Sequence, residues 1–287
     1  MPEKMILQKE IEYFLEEDLR EDDVSCTLVE NKEIRATIFV KEDCIVSGTE
    51  IAAAILDYMK ISYKQNKIGG DKAAAGDILF ELTGNSIQIL RAERLVLNFL
   101  SHLSGIATNT QKYVQIVKNE AGENAPRIAA TRKTTPGIRK YEKKAVLDGG
   151  GDPHRQNLSD MVMIKDNHIE ITGLENAFKE AKRQTSFSKK IEIEADTKEQ
   201  AIKAAEIGAD IILLDNMKPN QIREVVAELE QKNLRRFVLL EASGGIRKDN
   251  LKDYAATGVD VISLSAVTND AEWIDVGLDV QKCLNKE

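Results

Sequence analysis

Cysteine is scarce and its spacing suits no thiol chemistry. Cys26, Cys44 and Cys283 are odd in number, far apart, and form neither a Cys-x-x-Cys pair nor a metal-ligand pattern. This excludes a disulfide framework and a thiolate zinc site, and it implies reduced cysteines of a cytoplasmic protein. Long apolar runs are missing too: none approaches the ~20 residues a membrane span needs. The opening Met1-Pro2-Glu3-Lys4-Met5 lacks the apolar core of a secretory signal. Positive charge is in deficit, with 40 Lys and Arg against 48 Asp and Glu and a net charge of −8. That balance argues against nucleic acid or an anionic membrane as partner. No Gly-x-Gly-x-x-Gly joins a strand to a helix, which weighs against a dinucleotide fold.

Against that deficit, one segment concentrates cations beside glycine. Ala130-Thr131-Arg132-Lys133-Thr134-Thr135-Pro136-Gly137 is followed by Gly149-Gly150-Gly151-Asp152-Pro153-His154-Arg155 and by Met163-Ile164-Lys165-Asp166-Asn167-His168. Glycine lets the main chain approach a ligand, and arginine grips carboxylate or phosphate bidentately. A solvated charged face would not gather two of the chain's three histidines into Gly-flanked clusters. The pattern points to a pocket for a small polyanion.

The 287 residues allow one large or two medium domains. The first part looks α+β. Leu7, Ile11, Phe14 and Leu15 share a helical face, 34–40 and 44–46 look like strands, and Thr49 opens a helix with Ile51, Ile55, Leu56 and Met59 as its stripe. Gly69-Gly70 and Gly76-Asp77 signal turns. Residues 87–117 are helical, with Gly105 predicted as a break between two helices and Arg91, Arg94 and His102 on polar faces. Beyond about residue 125, apolar runs at 127–131, 160–165, 190–194, 210–215, 237–241 and 260–265 alternate with helical patterns. Strand–helix units of this size make a parallel sheet covered by helices. Six strands fall short of a closed eight-stranded barrel, so an incomplete α/β barrel is expected, with an open doubly wound sheet as the alternative.

Polar residues cluster where these strands end. Arg132 with Lys133, Lys165, Glu194, Asp215, and Glu241 with Ser243 each stand at or just past a predicted C-terminal end. In α/β barrels that rim builds the site. Glu194 and Asp215 suit a hard cation such as Mg2+ or ribose hydroxyls, and carboxylates there support an electron-poor sugar carbon. Ser243-Gly244-Gly245 offers consecutive backbone N–H groups to a phosphate. A sugar-phosphate donor and a carboxylated acceptor suggest glycosyl transfer.

Several strings, in order, carry a family resemblance. They include Glu93-Arg94, Leu97 to Leu100, Leu103 to Thr108, Thr131 to Gly137, Gly149 to Gly151 with His154-Arg155, Ile164 to His168, Leu214 to Met217 and Glu241 to Ile246. Glu17-Asp18-Leu19 extends the likeness almost end to end. The chain resembles quinolinate phosphoribosyltransferase, the carboxylating nicotinate-nucleotide pyrophosphorylase family. The resemblance implies an N-terminal α+β sandwich domain over 1–112, joined by a C-terminal return at 271–287, and an incomplete α/β barrel over 113–270. It implies a homodimer with a shared active site, or a higher oligomer, in which Arg94 reaches the partner's barrel. Positions matching Arg94, Arg132, His154, Arg155 and Lys165 would surround the dicarboxylate quinolinate. Those matching Lys133, Lys165, Glu194 and Asp215 would form the catalytic set facing phosphoribosyl pyrophosphate, with Mg2+ on Glu194 and Asp215. Ser243, Gly244, Gly245 and Ser265 would bind the 5′-phosphate.

The chain departs from the family at that second phosphate loop. Ser265, Asn269 and Asp270 stand where Gly, His and Ser are usual, Pro153 replaces Asn, and Arg20 to Asp23 replaces a Gly-containing turn. Asp270 adds negative charge near a dianion unless it points away. The altered loop leaves open a paralogue using another heterocyclic acid. Site chemistry also leaves two rivals: a barrel lyase using Lys133 or Lys165 as a Schiff base, and a non-catalytic binder of a phosphorylated metabolite.

Overall fold

The computed structural model describes residues 3–21 and 23–281, with side chains from residue 8 onward; the side chain of Leu7, and Asp22 and Cys283, lie outside the described residues. The chain divides into two units. One holds Met1–Asn109, Leu147–Gly149 and Ala271–Glu287; the other holds Thr110–Val146 and Gly150–Asp270.

In the first unit, α1 (Glu3–Leu19) and a 3-10 turn (Val24–Leu28) precede β1 (Glu33–Val40), β2 (Cys44–Ile45), α2 (Thr49–Tyr58), β3 (Ser62–Gln65), β4 (Lys72–Ala73) and β5 (Ile78–Asn85). Period-two alternation in β1 buries Ile34, Ala36, Ile38 and Val40. That strand is central in an antiparallel sheet of order β12-β1-β5-β3, where β12 (Val276–Val280) is the C-terminal return. Cys26 and Cys44 are free and buried.

Helix α3 (Ser86–Ala121) runs 36 residues without interruption, so the expected break at Gly105 is wrong. Gly105 instead marks a close crossing: a Cβ there would lie 2.1 Å from the Glu272 carbonyl oxygen. Beside it, the Ile274 N–H donates to the Ser101 carbonyl at 3.1 Å and the Ser101 hydroxyl donates to the Ile274 carbonyl. The glycine serves packing rather than helix termination.

The second unit continues with β6 (Arg127–Ala129), α4 (Arg139–Asp148), β7 (Val162–Ile164), α5 (Asp166–Thr172), α6 (Leu174–Gln184), β8 (Ile191–Ala195) and α7 (Lys198–Ile207). Then come β9 (Ile211–Asp215), α8 (Pro219–Gln231), β10 (Leu239–Ser243), α9 (Leu251–Ala255), β11 (Val261–Ser263) and α10 (Ala266–Asn269). All six expected strands are present, and they form one parallel sheet of order β6-β11-β10-β9-β8-β7. Between β6 and β7 the barrel is open. There Asp152 forms a parallel bridge with Ala129, so the loop after α4 extends the sheet edge. Among the described residues, no helix is long and apolar enough to cross a membrane.

Gly105→Ala tests the crossing. In an exposed helix interior this change stabilises by about 1 kcal/mol. Here the obstacle is a backbone carbonyl that cannot swing aside, so the sign should reverse. Urea unfolding should show a net loss of about 2 kcal/mol or more; a stabilised variant would refute the packing role.

Candidate functional site

A cavity of about 450 Å³ opens at the C-terminal ends of the barrel strands. The site residues reach it by period-two geometry: a residue at a strand end and the one two positions before it point the same way. Thus Met163 and Lys165, Leu213 and Asp215, and Glu241 and Ser243 line it in pairs, with Ser263 beside them. Glu194, the penultimate residue of β8, also lines the wall. Arg132, Lys133, His154 and Arg155 enter from the loops after β6 and α4.

Of the twelve sequence-derived site residues, eight line this cavity: Arg132, Lys133, His154, Arg155, Lys165, Glu194, Asp215 and Ser243. Four do not. Gly244 and Gly245 follow β10 with φ of +88° and +63°, and Ser265 precedes α10. Arg94 is exposed on α3, in the first unit. His168 caps α5: its Nδ1 accepts the Lys165 N–H at 2.9 Å, so it serves the helix rather than the cavity. Glu241, expected at a strand end, sits in the middle of β10 and is buried.

The loops are laced to one another. The Asn216 N–H, after β9, donates to the Ser243 carbonyl at 2.9 Å. A Cβ on Gly244 would lie 2.3 Å from Asn216 Oδ1 and 2.7 Å from its backbone nitrogen, so glycine is required there. The buried Thr268 hydroxyl donates to the Lys133 carbonyl at 3.2 Å, tying the loop after β6 to α10.

Both signs of charge line the cavity. Arg132, His154 and Arg155 are among its cations. Burial first, then the like charge of Arg132, pulls Arg155 below the usual arginine value, against Glu192, Asp160 and Glu241. Arg132 Nε is buried without a hydrogen-bond partner in the protein. Burial first and then the charges of Glu194 and Asp196 hold the Asp215 carboxyl above its usual range, against Lys165 and Lys133. Lys165 forms a 2.7 Å ion pair with Glu194.

Two groups missed in the sequence, Glu192 and Lys143, stand with Glu241 near these cations. Glu192 and Glu241 are buried, and their oxygens and a His154 nitrogen all lie within 4.8 Å of one another. His154 Nε2 meets Glu241 Oε2 at 3.0 Å, while neither Glu192 oxygen has a hydrogen-bond partner among the described residues. Lys143 on α4 is fully buried and donates to the Pro153 carbonyl. The alternation Ile191-Glu192-Ile193-Glu194 was the available signal for Glu192, since period two sets both acids on one face.

Barrel strand ends that hold cations and carboxylates around one cavity suit a site for charged ligands. Comparison with known proteins makes this specific. The C-terminal domain model of quinolinate phosphoribosyl transferase matches residues 106–279, and the N-terminal domain model matches 23–104. The chain belongs to the quinolinate phosphoribosyl transferase family. It is 45% identical over 247 residues, 86% of this chain and 88% of the relative, to a probable carboxylating nicotinate-nucleotide pyrophosphorylase of Methanothermobacter thermautotrophicus. It is 36% identical to the carboxylating nicotinate-nucleotide pyrophosphorylase of Dictyostelium discoideum, covering 97% of each chain. The solved nicotinate-nucleotide pyrophosphorylase of Francisella tularensis superposes with a TM-score of 0.90 at 33% identity, over 98% of each chain.

Burial first, then Glu241, pushes the Glu192 carboxyl up to about 8. Its folded value exceeds its unfolded one, so this group's stabilising contribution is complete below about pH 4.5 and is lost as pH rises through 8. Glu192→Gln removes that loss. The variant should gain on wild type by about 1 kcal/mol or more between pH 5 and 8.5, read from urea midpoints; parallel pH profiles would refute the buried-acid assignment.

Proposed function

We propose that the chain transfers the phosphoribosyl group of phosphoribosyl pyrophosphate to quinolinate with loss of CO2, giving nicotinate mononucleotide and pyrophosphate in NAD biosynthesis. One observation carries this reading: a single cavity lined both by the cations Arg132, His154 and Arg155 and by the carboxylates Glu194 and Asp215, at the strand ends of a barrel of this family.

Arg132, His154 and Arg155 bind the dicarboxylate and aim its ring nitrogen at C1 of the donor. The nitrogen lone pair forms the N–C1 bond as the C1–O bond breaks, and pyrophosphate leaves with that electron pair. The ring nitrogen now carries positive charge, so the C2–carboxylate bond releases CO2 and leaves its pair at C2, which then takes a proton. The protein mainly places charges; no covalent nucleophile is needed. Glu194 and Asp215 fit Mg2+ because both are carboxylates, hard oxygen donors, lining one cavity. When bound, the cation supplies charge neutralisation for the pyrophosphate. Ser243, with the Gly244-Gly245 backbone and Ser265, receives the 5′-phosphate.

Arg94, exposed on α3, supports a homodimer in which it serves the partner's cavity. Free Cys26 and Cys44 support the cytoplasm as the compartment.

Purified protein with Mg2+, phosphoribosyl pyrophosphate and a panel of pyridine and pyrimidine carboxylates should release CO2 and form a mononucleotide with quinolinate. Product from another acid alone would reassign the acceptor. Arg132→Ala and Arg155→Ala should each weaken quinolinate binding about ten- to hundred-fold, the loss of one charge-assisted contact, with a much smaller effect on the donor. Unchanged quinolinate affinity in both would defeat the dicarboxylate assignment. Mixing inactive Arg94→Ala with inactive Glu194→Ala protein and allowing subunit exchange should restore activity, since one site of each mixed dimer is free of both changes. Proven exchange without recovery would confine the site to one subunit.

A further inference from the structure

Two buried charges make contacts that packing alone does not require. Lys143 is fully buried in α4, does not line the cavity, and spends its ammonium on the Pro153 carbonyl. Glu241 is buried in mid-strand and spends a carboxylate oxygen on His154 Nε2 at 3.0 Å. An apolar side chain would fill either position at lower desolvation cost. Both contacts converge on one turn.

That turn is held at every residue. The Gly151 N–H donates to the Val146 carbonyl at 2.9 Å, the Asp152 N–H to the Ile128 carbonyl at 2.7 Å, and the Ala130 N–H to the Asp152 carbonyl at 2.9 Å. A Cβ on Gly151 would lie 2.7 Å from Thr110 Cγ2 and 2.8 Å from Val146 Cγ1, so the turn is pressed against the helices. Pro153 has no N–H, which leaves its carbonyl as its one polar handle. His154 then adopts φ +53°, a conformation rare for a side-chain-bearing residue, with its N–H on Asp152 Oδ1 at 2.7 Å. Such a backbone persists only where its surroundings over-determine it.

We infer that Lys143 and Glu241 are positioning residues for dicarboxylate recognition, fixing the Pro153–Arg155 turn from α4 and from β10 so that His154 and Arg155 meet the acceptor together. Lys143 sets the backbone; Glu241 sets the ring and its charge. This inference rests on the functional reading above. The groups facing His154 are Glu241 from β10, Glu192 from β8, Lys143 from α4, and Asp152 and Arg155 on its own turn. Burial opposes the imidazolium, but the bond to Glu241 and the carboxylate charges outweigh it and hold the imidazole above its ordinary value. A dianionic ligand is therefore bound best while His154 is protonated, and affinity falls as pH rises through that raised value.

Full-length Lys143→Met and Glu241→Gln, checked for native circular dichroism, test this by two readouts. Calorimetry should show quinolinate binding weakened about ten-fold or more in each, with phosphoribosyl pyrophosphate within about two-fold of wild type. A merely structural role would weaken both ligands alike and would overturn the inference, as would unchanged quinolinate affinity. NMR titration of the ligand-free protein is practical because the chain has only three histidines. Glu241→Gln should lower the His154 midpoint by about 0.5 pH or more, and shift the fall in quinolinate affinity to lower pH. An unmoved midpoint would overturn Glu241's part, and should Lys143→Met fail to fold, Glu241→Gln still decides the inference. Wild-type protein that takes up no quinolinate would defeat both the functional reading and this inference. Wild-type uptake with unchanged variants would defeat the inference alone.

Discussion

Cations that wait for an anionic ligand repel one another, and the barrel mouth must hold Arg132, His154 and Arg155 together without one. Burial first, and then the charge of Arg132, lowers Arg155 below the usual arginine value. The remedy for the repulsion is a second layer of opposite sign: Glu192 and Glu241 on the strands below, one of them bonded to His154. That remedy has its own cost. Two ionised carboxylates within 4.8 Å of each other would repel by about 3 kcal/mol at an effective dielectric near 20. The displaced Glu192 value shows how this is settled, because a carboxyl that keeps its proton until about 8 carries little of that repulsion. The cationic pocket is thus balanced by a buried acid pair that is itself only partly charged.

Strand register converts this electrostatics into geometry. Glu241 pairs with Leu213, Leu213 with Glu194, and Ser243 with Asp215. The inward positions of neighbouring strands therefore fall in layers, as parallel barrels require. Acidic and apolar residues occupy the deeper positions, whereas the rim carries Asp215 and Ser243. Loops then add what strands cannot. The Asn216–Gly244 contact fuses the loops after β9 and β10, and Asp152 at the open edge between β6 and β7 brings in the His154–Arg155 turn. A barrel closed at that edge would leave no place for the turn.

Much of this was legible in the chain, and the misses have physical reasons. The six parallel strands are largely apolar, with acids only within β8 and β10 and at the end of β9, so their existence survives any error of a few residues at the ends. Strand-end cations and acids were visible for the same reason. Helix α4 was not, because Arg139 to Lys144 is so highly charged that no apolar stripe stands out, although Ala145 and Val146 are buried. Lys143 was lost with it: a lysine in a basic run looks solvated until a carbonyl is found beside it. Gly105 misled because a helical glycine reads as a break from sequence, and only the crossing chain at Glu272 reveals the alternative. Glu241 was seen but set too near the surface, since strand ends from sequence drift by a residue or two.

The departures after β11 can be weighed in the same terms. Asp270 looked costly because a negative charge near a phosphate dianion opposes binding. In the fold, Asn269 and Asp270 are exposed and neither lines the cavity. After burial, the charge of Asp270 is the next influence raising the Tyr113 phenol on α3. The residue that couples this segment to the site is Thr268, buried and bonded to the Lys133 carbonyl. Thr268 lies between Ser265 and the Asn269-Asp270 pair. A loop can therefore alter its solvent-facing positions while Thr268 still bonds the Lys133 carbonyl. The substituted residues that remain relevant are those that face inward, and of the three only Ser265 is even half-buried.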